Sequence, residues 1–391
     1  MNFEPCACQY DEALSLHRID RVEFVHFRQV YPRLLGKNAI KSYHGFGGTI
    51  EAVRLFTDQG ASGWATLSRP PKMAMEAAEQ LKGKKLTEVF SAGTGILDGV
   101  YAPFDLALHD LAGRILGIPV ARMLNPEAGR YARAYDGAIY MNDIIPEQAP
   151  WGIQRVLDDC AYDIALGHTA LKIKIGRGKT WMDHDAGLQR DIELVCRIHE
   201  AFPSAELLVD ANDGYSVEDA IDFLEGVKNV PIYWFEEPMR ENEADLTVLK
   251  DYIAKHRPRT MIADGESRTH MPTLFDLSAK GLIDVIQPDL YYLGFTEWRK
   301  LLKWAAQEGK LASPHAWDCI LKTYYCAHLE AAFPFTVPTI ETVIGRCEGI
   351  DESGYKLENG VFRIPDAPGF GLNIDYAASI DESLGAYWPN N

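Results

Sequence analysis

Short apolar strands alternate with amphipathic helical stretches from about Tyr131 onward, and this alternation restricts the fold more than any other feature. Eight segments in series are predicted to be strands: RAYDGAIYM, TALKIKIG, ELLVDAN, IYWFEEP, TMIADGE, DVIQPDL, KLASPHA and TVPTIET. Because strands that are each followed by a helix form parallel sheets, and no glycine-rich dinucleotide-binding motif is present, a closed barrel is favoured over a Rossmann sheet. The sequence predicts an α/β fold with a (β/α)-barrel over residues 131–350.

The first 130 residues follow a different pattern. Two long predicted strands, RIDRVEFVHFRQV and TIEAVRLFTDQGASGWATL, are joined by the polar segment from Gly36 to Gly48, and helical patterns then run from Lys72 to about Leu124. Strands followed by a block of helices predict an α+β domain. The length of 391 residues accommodates this domain beside a barrel of about 250 residues.

Composition and charge exclude several classes of function. No apolar run approaches the roughly 20 residues that span a membrane, so no membrane partner is expected. The N-terminus has neither the basic nor the apolar region of a secretory signal, which predicts a cytoplasmic protein. The net charge of −17 has no basic stripe to offset it and disfavours a nucleic-acid partner. Seven scattered cysteines indicate reduced thiols rather than a disulfide framework or a zinc site.

A polar side chain lies at or near the end of each of seven consecutive predicted strands. Successive members of this series are 23 to 36 residues apart, close to the length of one strand-helix unit. Barrel enzymes carry their catalytic residues at the C-terminal ends of the strands. The series therefore marks a candidate active site, and its members are Lys174, Asp210, Glu236, Glu266, Asp289, His315 and Glu341.

Lys172 and Lys174 lie two residues apart in ALKIKIG, so strand alternation sends both side chains to one face. Two like charges inside a barrel lower each other's pKa, which suits an amine that acts as a base near neutral pH. A surface strand with solvated lysines is the alternative reading. The apolar flanks Leu171, Ile173 and Ile175 disfavour it.

Three carboxylates, Asp210, Glu236 and Glu266, come from three successive strand ends. They would repel one another unless a cation held them, and hard oxygen ligands suit Mg²⁺, with Mn²⁺ as a plausible substitute. Glu237 is expected on the other side of its strand, in a supporting role. Asp264 is expected to share the inward face with Glu266 and to compete with it as the third ligand.

Asp289 and His315 end the next two strands. A carboxylate beside an imidazole fixes the tautomer of the ring and raises its basicity, so the pair can act as a general base or, once protonated, as an acid. Glu341 ends the eighth strand, where it either hydrogen-bonds a substrate oxygen or forms an ion pair at the rim of the barrel.

The chain resembles the mandelate racemase subgroup of the enolase superfamily over nearly its whole length. The resemblance rests on the KxK strand, the D-x-N, E-E-P and G-E-S strand ends, and the Asp and His of strands six and seven, in that order and spacing. PFDLALHDLAGRILGIPVARML resembles the helix that joins the capping domain of these enzymes to the barrel. APGFGLNID resembles their C-terminal return segment, so residues 351–391 are expected to join residues 1–130 in a capping domain on a modified TIM barrel.

The resemblance implies a role for each member of the series. The three carboxylates described above would bind Mg²⁺. Lys174 would be the base on one face of the substrate, and His315, paired with Asp289, the base or acid on the other. Lys172 would help to neutralise the substrate carboxylate and lower the pKa of Lys174, and Asn212 would contact the substrate.

Two capping-domain loops determine specificity in this family, and they correspond here to about Tyr31–Gly47 and Leu67–Pro71. The loop residues that could meet distal hydroxyls or a second carboxylate are Arg33, Lys37, Lys41, Tyr43, His44 and Arg69. Trp317 and Asp318 follow His315 directly and depart from the family pattern. Both could narrow the pocket or bind a distal hydroxyl, and Trp317 is a further candidate for substrate binding.

The resemblance implies abstraction of the α-proton of a hydroxy-acid or sugar-acid carboxylate. Polar, cation-rich capping loops suit a polyhydroxylated acid, so the favoured reaction is dehydration to a 2-keto-3-deoxy acid, with His315 protonating the leaving hydroxyl. Racemisation or epimerisation of a 2-hydroxy acid by Lys174 and His315 is the alternative, and a metal-binding barrel without catalysis is a third. A homo-oligomer is expected, and the sequence leaves its size and the substrate stereochemistry open.

Overall fold

The computed structural model describes residues 7–146, 150–267 and 270–374, so the end of the predicted C-terminal segment, residues 375–391, lies outside the described residues. The N-terminal elements are helix α1 (Ala7–Leu14) and antiparallel strands β1 (Ile19–Leu35), β2 (Gly45–Thr57) and β3 (Ser62–Thr66). The second predicted strand is therefore two strands, because DQGAS forms a turn in which Gly60 has a φ of +80°. Glycine adopts that left-handed conformation without a steric cost.

The predicted helical block is interrupted by two short strands. Its elements are α2 (Pro71–Leu81), α3 (Leu86–Val89), β4 (Phe90–Ser91), β5 (Gly95–Ile96), a 3₁₀ helix (Gly99–Phe104), α4 (Asp105–Leu116) and α5 (Val120–Leu124). Helix α4 packs on the β1–β3 sheet so closely that a Cβ on Gly63 would lie 2.4 Å from the backbone of Leu111. Glycine at this position is what allows helix and sheet to close over one apolar core.

All eight predicted barrel strands are present. They are β6 (Tyr131–Ile139), β7 (Ala170–Lys174), β8 (Glu206–Asp210), β9 (Ile232–Glu236), β10 (Met261–Asp264), β11 (Val285–Ile286), β12 (Leu311–Ala312) and β13 (Ile340–Thr342). Neighbours from β6 to β12 pair in parallel, and β13 pairs in parallel with β6. Between β12 and β13, the Ser313 hydroxyl donates to the Thr339 carbonyl at 2.6 Å. The predicted barrel is confirmed.

Helices follow the first seven barrel strands, and none follows the eighth as far as residue 374. They are α6 (Ile153–Ala165), α7 (His184–Ala201), α8 (Val217–Gly226), α9 (Glu243–His256), α10 (Met271–Ala279), α11 (Leu290–Leu293), α12 (Phe295–Glu308) and α13 (Ile320–Ala332). The prediction of a helix after every strand is wrong at β13, since residues 343–374 contain only short strands and loops. None of the described helices is both long enough and apolar enough to cross a bilayer.

The strands after β13 divide between the two parts of the molecule. They are β14 (Arg346–Glu348), β15 (Ile350–Asp351), β16 (Lys356–Glu358), β17 (Val361–Arg363) and β18 (Asn373–Ile374). Strand β14, which the sequence assigned to the barrel, pairs with β1, whereas β17, assigned to the capping domain, pairs with β6. Further along, the Trp64 indole donates to the Leu372 carbonyl at 3.1 Å, which joins this part of the chain to the N-terminal sheet.

A layer of apolar side chains fills the barrel beneath the strand ends. It consists of Tyr135, Ala170, Leu208, Trp234, Ala263 and Val285, all buried. Because side chains alternate along a strand, the residues two and four positions after these point to the same interior, nearer its C-terminal end. This layer therefore supports the side chains of the candidate site from below.

Candidate active site

Three carboxylates converge at the C-terminal ends of β8, β9 and β10. One oxygen each from Asp210, Glu236 and Glu266 lies within 4.8 Å of the other two. Asp210 and Glu236 are the last residues of their strands and are fully buried, whereas 20% of the Glu266 side chain is exposed. Burial, together with the charges of Asp210 and Glu266, raises the pKa of Glu236 to about 8 despite the opposing charge of Lys172. A group of carboxylates this close fits a hard divalent cation.

Asp264 does not share the inward face with Glu266, contrary to the sequence expectation. Its neighbour Ala263 lies in the interior layer, so Asp264 points to the other side of β10. Burial and the charge of Glu237 raise the pKa of Asp264 well above its usual range. Strand alternation ends at Gly265, whose φ of +126° turns the chain so that Glu266 faces the other carboxylates.

Both lysines of β7 contact these carboxylates. Lys172 Nζ lies 2.6 Å from Glu236 Oε1 and 2.8 Å from Glu341 Oε1, and Lys174 Nζ contacts Asp210 Oδ2. Burial, the largest influence, and the charge of Lys172 act to lower the pKa of Lys174, as expected, but the charges of Asp210, Glu266 and Glu236 together outweigh them and the pKa is raised. The expected depression is therefore not found, because three carboxylates, with Asp210 in direct contact, surround the ammonium group.

His315 lies across the carboxylates from the lysines. Its Nδ1 is 2.9 Å from Asp289 Oδ2, and its Nε2 is 3.4 Å from Glu266 Oε2. Asp289 also caps α11, since its Oδ1 accepts the backbone N–H groups of Tyr291 and Tyr292. Burial lowers the pKa of His315, but the charges of Glu266 and Glu341 and the contact with Asp289 raise it to about 10. The ring can therefore carry a proton.

Glu341 links the two sides of the site and is buried rather than at the rim. Its Oε1 binds Lys172, and its Oε2 accepts the backbone N–H of Ala316 at 2.8 Å. A Cβ on Gly137 would lie 2.4 Å from Glu341 Oε1, so the strand β6 leaves room for this carboxylate only because it carries glycine there.

Three rings from different parts of the chain form an aromatic lining beside Lys174. His44 comes from the loop between β1 and β2, Tyr140 directly follows β6, and Trp317 follows β12. Their centroids are 4.4 to 5.5 Å apart, and Lys174 Nζ is 5.6 Å from the centre of the Tyr140 ring. The Nδ1 of His44 is 2.7 Å from the Gly36 carbonyl, and burial lowers the pKa of His44 to about 4, so this ring is neutral at pH 7.

Two arginines that were expected to face the substrate from the capping loops contact protein groups, and Arg33 lies within β1, which extends to Leu35, rather than in a loop. Arg33 is buried and pairs with Asp159 and Asp163 of α6, which attaches β1 to the barrel. Arg69 donates to the backbone carbonyls of Tyr291 and Tyr292. The guanidinium groups are thus engaged by protein acceptors that lie far away in sequence.

Other predicted substrate contacts are less direct. The side-chain N–H of Asn212 donates to Glu237 Oε2 at 3.3 Å, and its backbone N–H donates to Asp210 Oδ1 at 2.9 Å, so Asn212 supports a carboxylate of the site. Glu237 also accepts the backbone N–H of Ser267 at 2.9 Å, in the supporting role expected of it. Tyr43 is 45% exposed, and Lys37 Nζ lies 5.8 Å from its ring centre.

Sequence reasoning missed Lys322 and Gln29. Lys322 Nζ lies 2.7 Å from Asp289 Oδ2, and Gln29 binds the backbone on both sides of Cys319, accepting from Ile320 N–H and donating to the Asp318 carbonyl. A visible signal existed for Lys322, which is the only lysine or arginine in the otherwise mostly apolar helix ILKTYYCAHLEAA. No such signal existed for Gln29, because polar residues alternate with apolar ones along β1 and nothing sets Gln29 apart from the others.

Comparison with known proteins agrees with this geometry. Residues 155–378 match the family described as enolase C-terminal domain-like. The crystal structure of galacturonate dehydratase from a Geobacillus species, complexed with D-galacturonate and 5-keto-4-deoxy-D-galacturonate, superimposes with a TM-score of 0.83 at 28% sequence identity. The match covers 95% of this chain and 96% of that one.

Proteins similar to this chain in sequence include a cycloisomerase and a dehydratase. D-galactarolactone cycloisomerase of Agrobacterium fabrum is 28% identical over 286 residues, which are 69% of this chain and 70% of that protein. Arabinonate dehydratase of Saccharolobus solfataricus is 25% identical over 275 residues, 69% of this chain and 68% of the relative. Epimerases are also among the relatives.

Proposed function

This chain belongs to the enolase superfamily, in the family described as enolase C-terminal domain-like, and from that premise we propose that it is a magnesium-dependent dehydratase of a polyhydroxylated carboxylic acid. One observation carries the proposal: two candidate proton-transfer groups of different chemistry flank three convergent carboxylates. Strand β7, with Lys174, precedes the three ligand strands, and β12, which leads to His315, follows them.

We assign Asp210, Glu236 and Glu266 as the Mg²⁺ ligands. The ion bound there would supply the positive charge that makes a proton next to a carboxylate acidic enough to remove. Lys172, held between Glu236 and Glu341, adds a second positive charge for the substrate carboxylate.

The two flanking groups then divide the reaction. Lys174 accepts the α-proton, and the electron pair of the broken C–H bond forms a double bond as the bond from the β-carbon to its oxygen breaks. His315 donates its Nε2 proton to the departing hydroxyl, which leaves as water, while Asp289 holds the ring at Nδ1. The enol product tautomerises to a 2-keto-3-deoxy acid, and no oxidant or reductant is needed.

The aromatic lining and the engaged arginines support a substrate with a single carboxylate. Arg33 of β1 and Arg69, the two guanidinium groups that were expected to meet a second carboxylate, are bound to protein acceptors. Rings such as Tyr140 and Trp317 pack against the C–H groups of a sugar chain. The Nε2 of neutral His44 can accept a hydrogen bond from a substrate hydroxyl. An aldonate or a uronate fits this lining better than an aldarate.

Epimerisation is the second candidate, because the same two groups could exchange a proton at one carbon. Relatives that are epimerases favour it, and His315 would then return the proton that Lys174 removes from the opposite face. Dehydration is preferred since the galacturonate dehydratase is similar over almost its whole length.

The proposal is tested by proton exchange and product formation in D₂O. The Mg²⁺-loaded protein is incubated with a panel of aldonates, uronates and aldarates and followed by ¹H NMR. We expect at least one aldonate or uronate to give a 2-keto acid, and stereoisomers that are not turned over to exchange the proton at Cα. An epimer deuterated at Cα would support the second candidate. No exchange and no product from any acid in the panel would contradict both.

A further inference from the structure

Lys322 lies beneath the histidine and is fully buried in α13. Its Nζ is 2.7 Å from Asp289 Oδ2, 2.8 Å from Asp318 Oδ1 and 2.9 Å from the Trp317 carbonyl. An ammonium group has three donors, and three acceptors surround it here. This lysine therefore joins the end of β11 to the loop after β12, which carries His315 and Trp317.

The carboxylate of Asp289 receives four donors, and Lys322 is one of them. His315 Nδ1 and Lys322 Nζ share Oδ2, while two backbone N–H groups of α11 bind Oδ1. Burial would raise the pKa of Asp289, but the charge of Lys322 and the contacts with His315 and Lys322 hold it well below its usual range. Lys322 thus fixes the same oxygen that the imidazole Nδ1 contacts.

The loop that Lys322 binds has a conformation that needs support. Asp318 has a φ of +80°, which L-residues other than glycine rarely adopt. Lys322 binds the carbonyl before it and the carboxylate of Asp318 itself, and Gln29 of β1 accepts the N–H of Ile320 and binds the Asp318 carbonyl. Together they fix the turn that places Trp317 in the aromatic lining.

We infer that Lys322 is a positioning residue for the elimination step, because it fixes the carboxylate that orients His315 and the turn that carries Trp317. The inference rests on the proposed dehydration. If His315 protonates the leaving hydroxyl and Lys174 removes the α-proton, loss of Lys322 disturbs the protonation by His315 and spares the α-proton removal by Lys174. The role is thus distinguishable from a general contribution to stability, which would affect both events together.

The experiment measures turnover and α-proton exchange in Lys322→Met. We expect turnover to fall about 10- to 100-fold, as is typical when a group that orients a functional side chain is removed, while exchange falls by less than about threefold. Lys250→Met is the matched control, since it removes a lysine that pairs with Asp284 at the other end of the barrel. The ratio of exchange to turnover should stay unchanged in this control.

Two further measurements keep the inference testable if Lys322→Met folds poorly or if no acid is turned over. Asp318→Gly removes one of the three partners of Lys322, and glycine suits a φ of +80°, so the variant should fold. It should raise the ratio of exchange to turnover, as Lys322→Met does, but by a smaller factor. A crystal structure of Lys322→Met, or of Lys322→Gln, should show the His315 ring or the Trp317 indole displaced. Equal losses of turnover and exchange, or both rings unmoved, would overturn the inference, whereas a wild type inactive on every acid would overturn only the proposed function.

Discussion

The candidate proton-transfer groups on the two sides of the three-carboxylate cluster are held in different ways. On the lysine side, Lys172 and Lys174 contact the candidate metal ligands Glu236 and Asp210 directly. On the histidine side, the ring of His315 is held from behind by its hydrogen bond to Asp289, and its Nε2 lies 3.4 Å from Glu266 without a hydrogen bond among the described residues.

This difference indicates which side depends on the metal. The charges of Asp210, Glu266 and Glu236, the three candidate ligands, together hold a proton on Lys174, so a cation bound to them would shift the pKa of Lys174 downward. His315 has a carboxylate of its own in Asp289, which no cation at the three ligands would share. Lys174 should therefore become a base only in the loaded protein, whereas the hydrogen bond to Asp289 should keep His315 oriented with or without the ion.

Removal of Mg²⁺ should have the largest effect. Chelation is expected to abolish both turnover and α-proton exchange, because the site loses the positive charge of the ion. That charge would activate the substrate and lower the pKa of Lys174. The fold should survive, since the apolar layer below the ligands is complete without the ion. Activity and thermal unfolding are measured before and after exhaustive chelation and after Mg²⁺ is restored. Full activity without the ion would refute the metal assignment.

Removal of either proton-transfer group should separate the two sides. Lys174→Ala and His315→Asn are each expected to lower turnover by about 10²- to 10⁴-fold, the usual contribution of general acid-base catalysis. His315→Asn should still exchange the α-proton with solvent, because exchange needs only the base and the ion, and Lys174→Ala should not. Exchange is followed by NMR in D₂O. The reverse pattern would exchange the two roles, and normal turnover in either variant would contradict a two-group reaction.

The sequence predicted the barrel and the members of the site because both follow a regular period. Each strand ends one unit after the last, so Asp210, Glu236 and Glu266 could be placed together without any knowledge of distances. The prediction failed where one residue breaks the period: Gly265 turns the chain, and Asp264 therefore faces away from Glu266.

Partners that come from distant segments were beyond the reach of the sequence. The sequence around Arg33 predicts a loop residue that contacts the substrate whether or not α6 offers Asp163, which lies 130 residues further along. The pKa of Lys174 failed for a related reason, since the effect of Lys172 was known but the approach of Asp210 was not. Spacing indicates which residues meet, and three-dimensional contacts decide the sign of their interaction.

Replacement of the third ligand should have an intermediate effect and tests which residue of the β10 end holds the ion. Glu266→Gln is expected to weaken Mg²⁺ binding by at least about 10-fold, since a carboxylate oxygen of the group is lost. Asp264→Asn should change affinity little, because burial already favours the neutral form of Asp264 and its side chain faces away from the ligands. Titration calorimetry compares the two variants. A larger loss in Asp264→Asn would place the ion on the other face of β10.

The smallest effect concerns the neutral ring beside the lysine side. Burial lowers the pKa of His44 to about 4, so below its usual value of about 6.5 the unfolded chain binds a proton that the folded chain excludes. Stability contributed by neutral His44 is therefore lost as the pH falls from about 6.5 toward 4. Between pH 7 and pH 5 the wild type should lose at most about 2 kcal/mol more unfolding free energy than His44→Phe.

Urea unfolding at the two pH values checks this expectation, and His184 provides a control of opposite sign. The side chain of His184 is 63% exposed, and Asp185 and Asp219 raise its pKa, so its protonated form adds stability that is present at low pH and lost as the pH rises. His184→Gln should thus lose slightly more stability than the wild type on acidification, whereas His44→Phe loses less. Equal pH dependence in His44→Phe and the wild type would mean that His44 takes up its proton in the folded protein. The aromatic lining would then add a positive charge near Lys174, and a substrate with a second carboxylate would become the better fit.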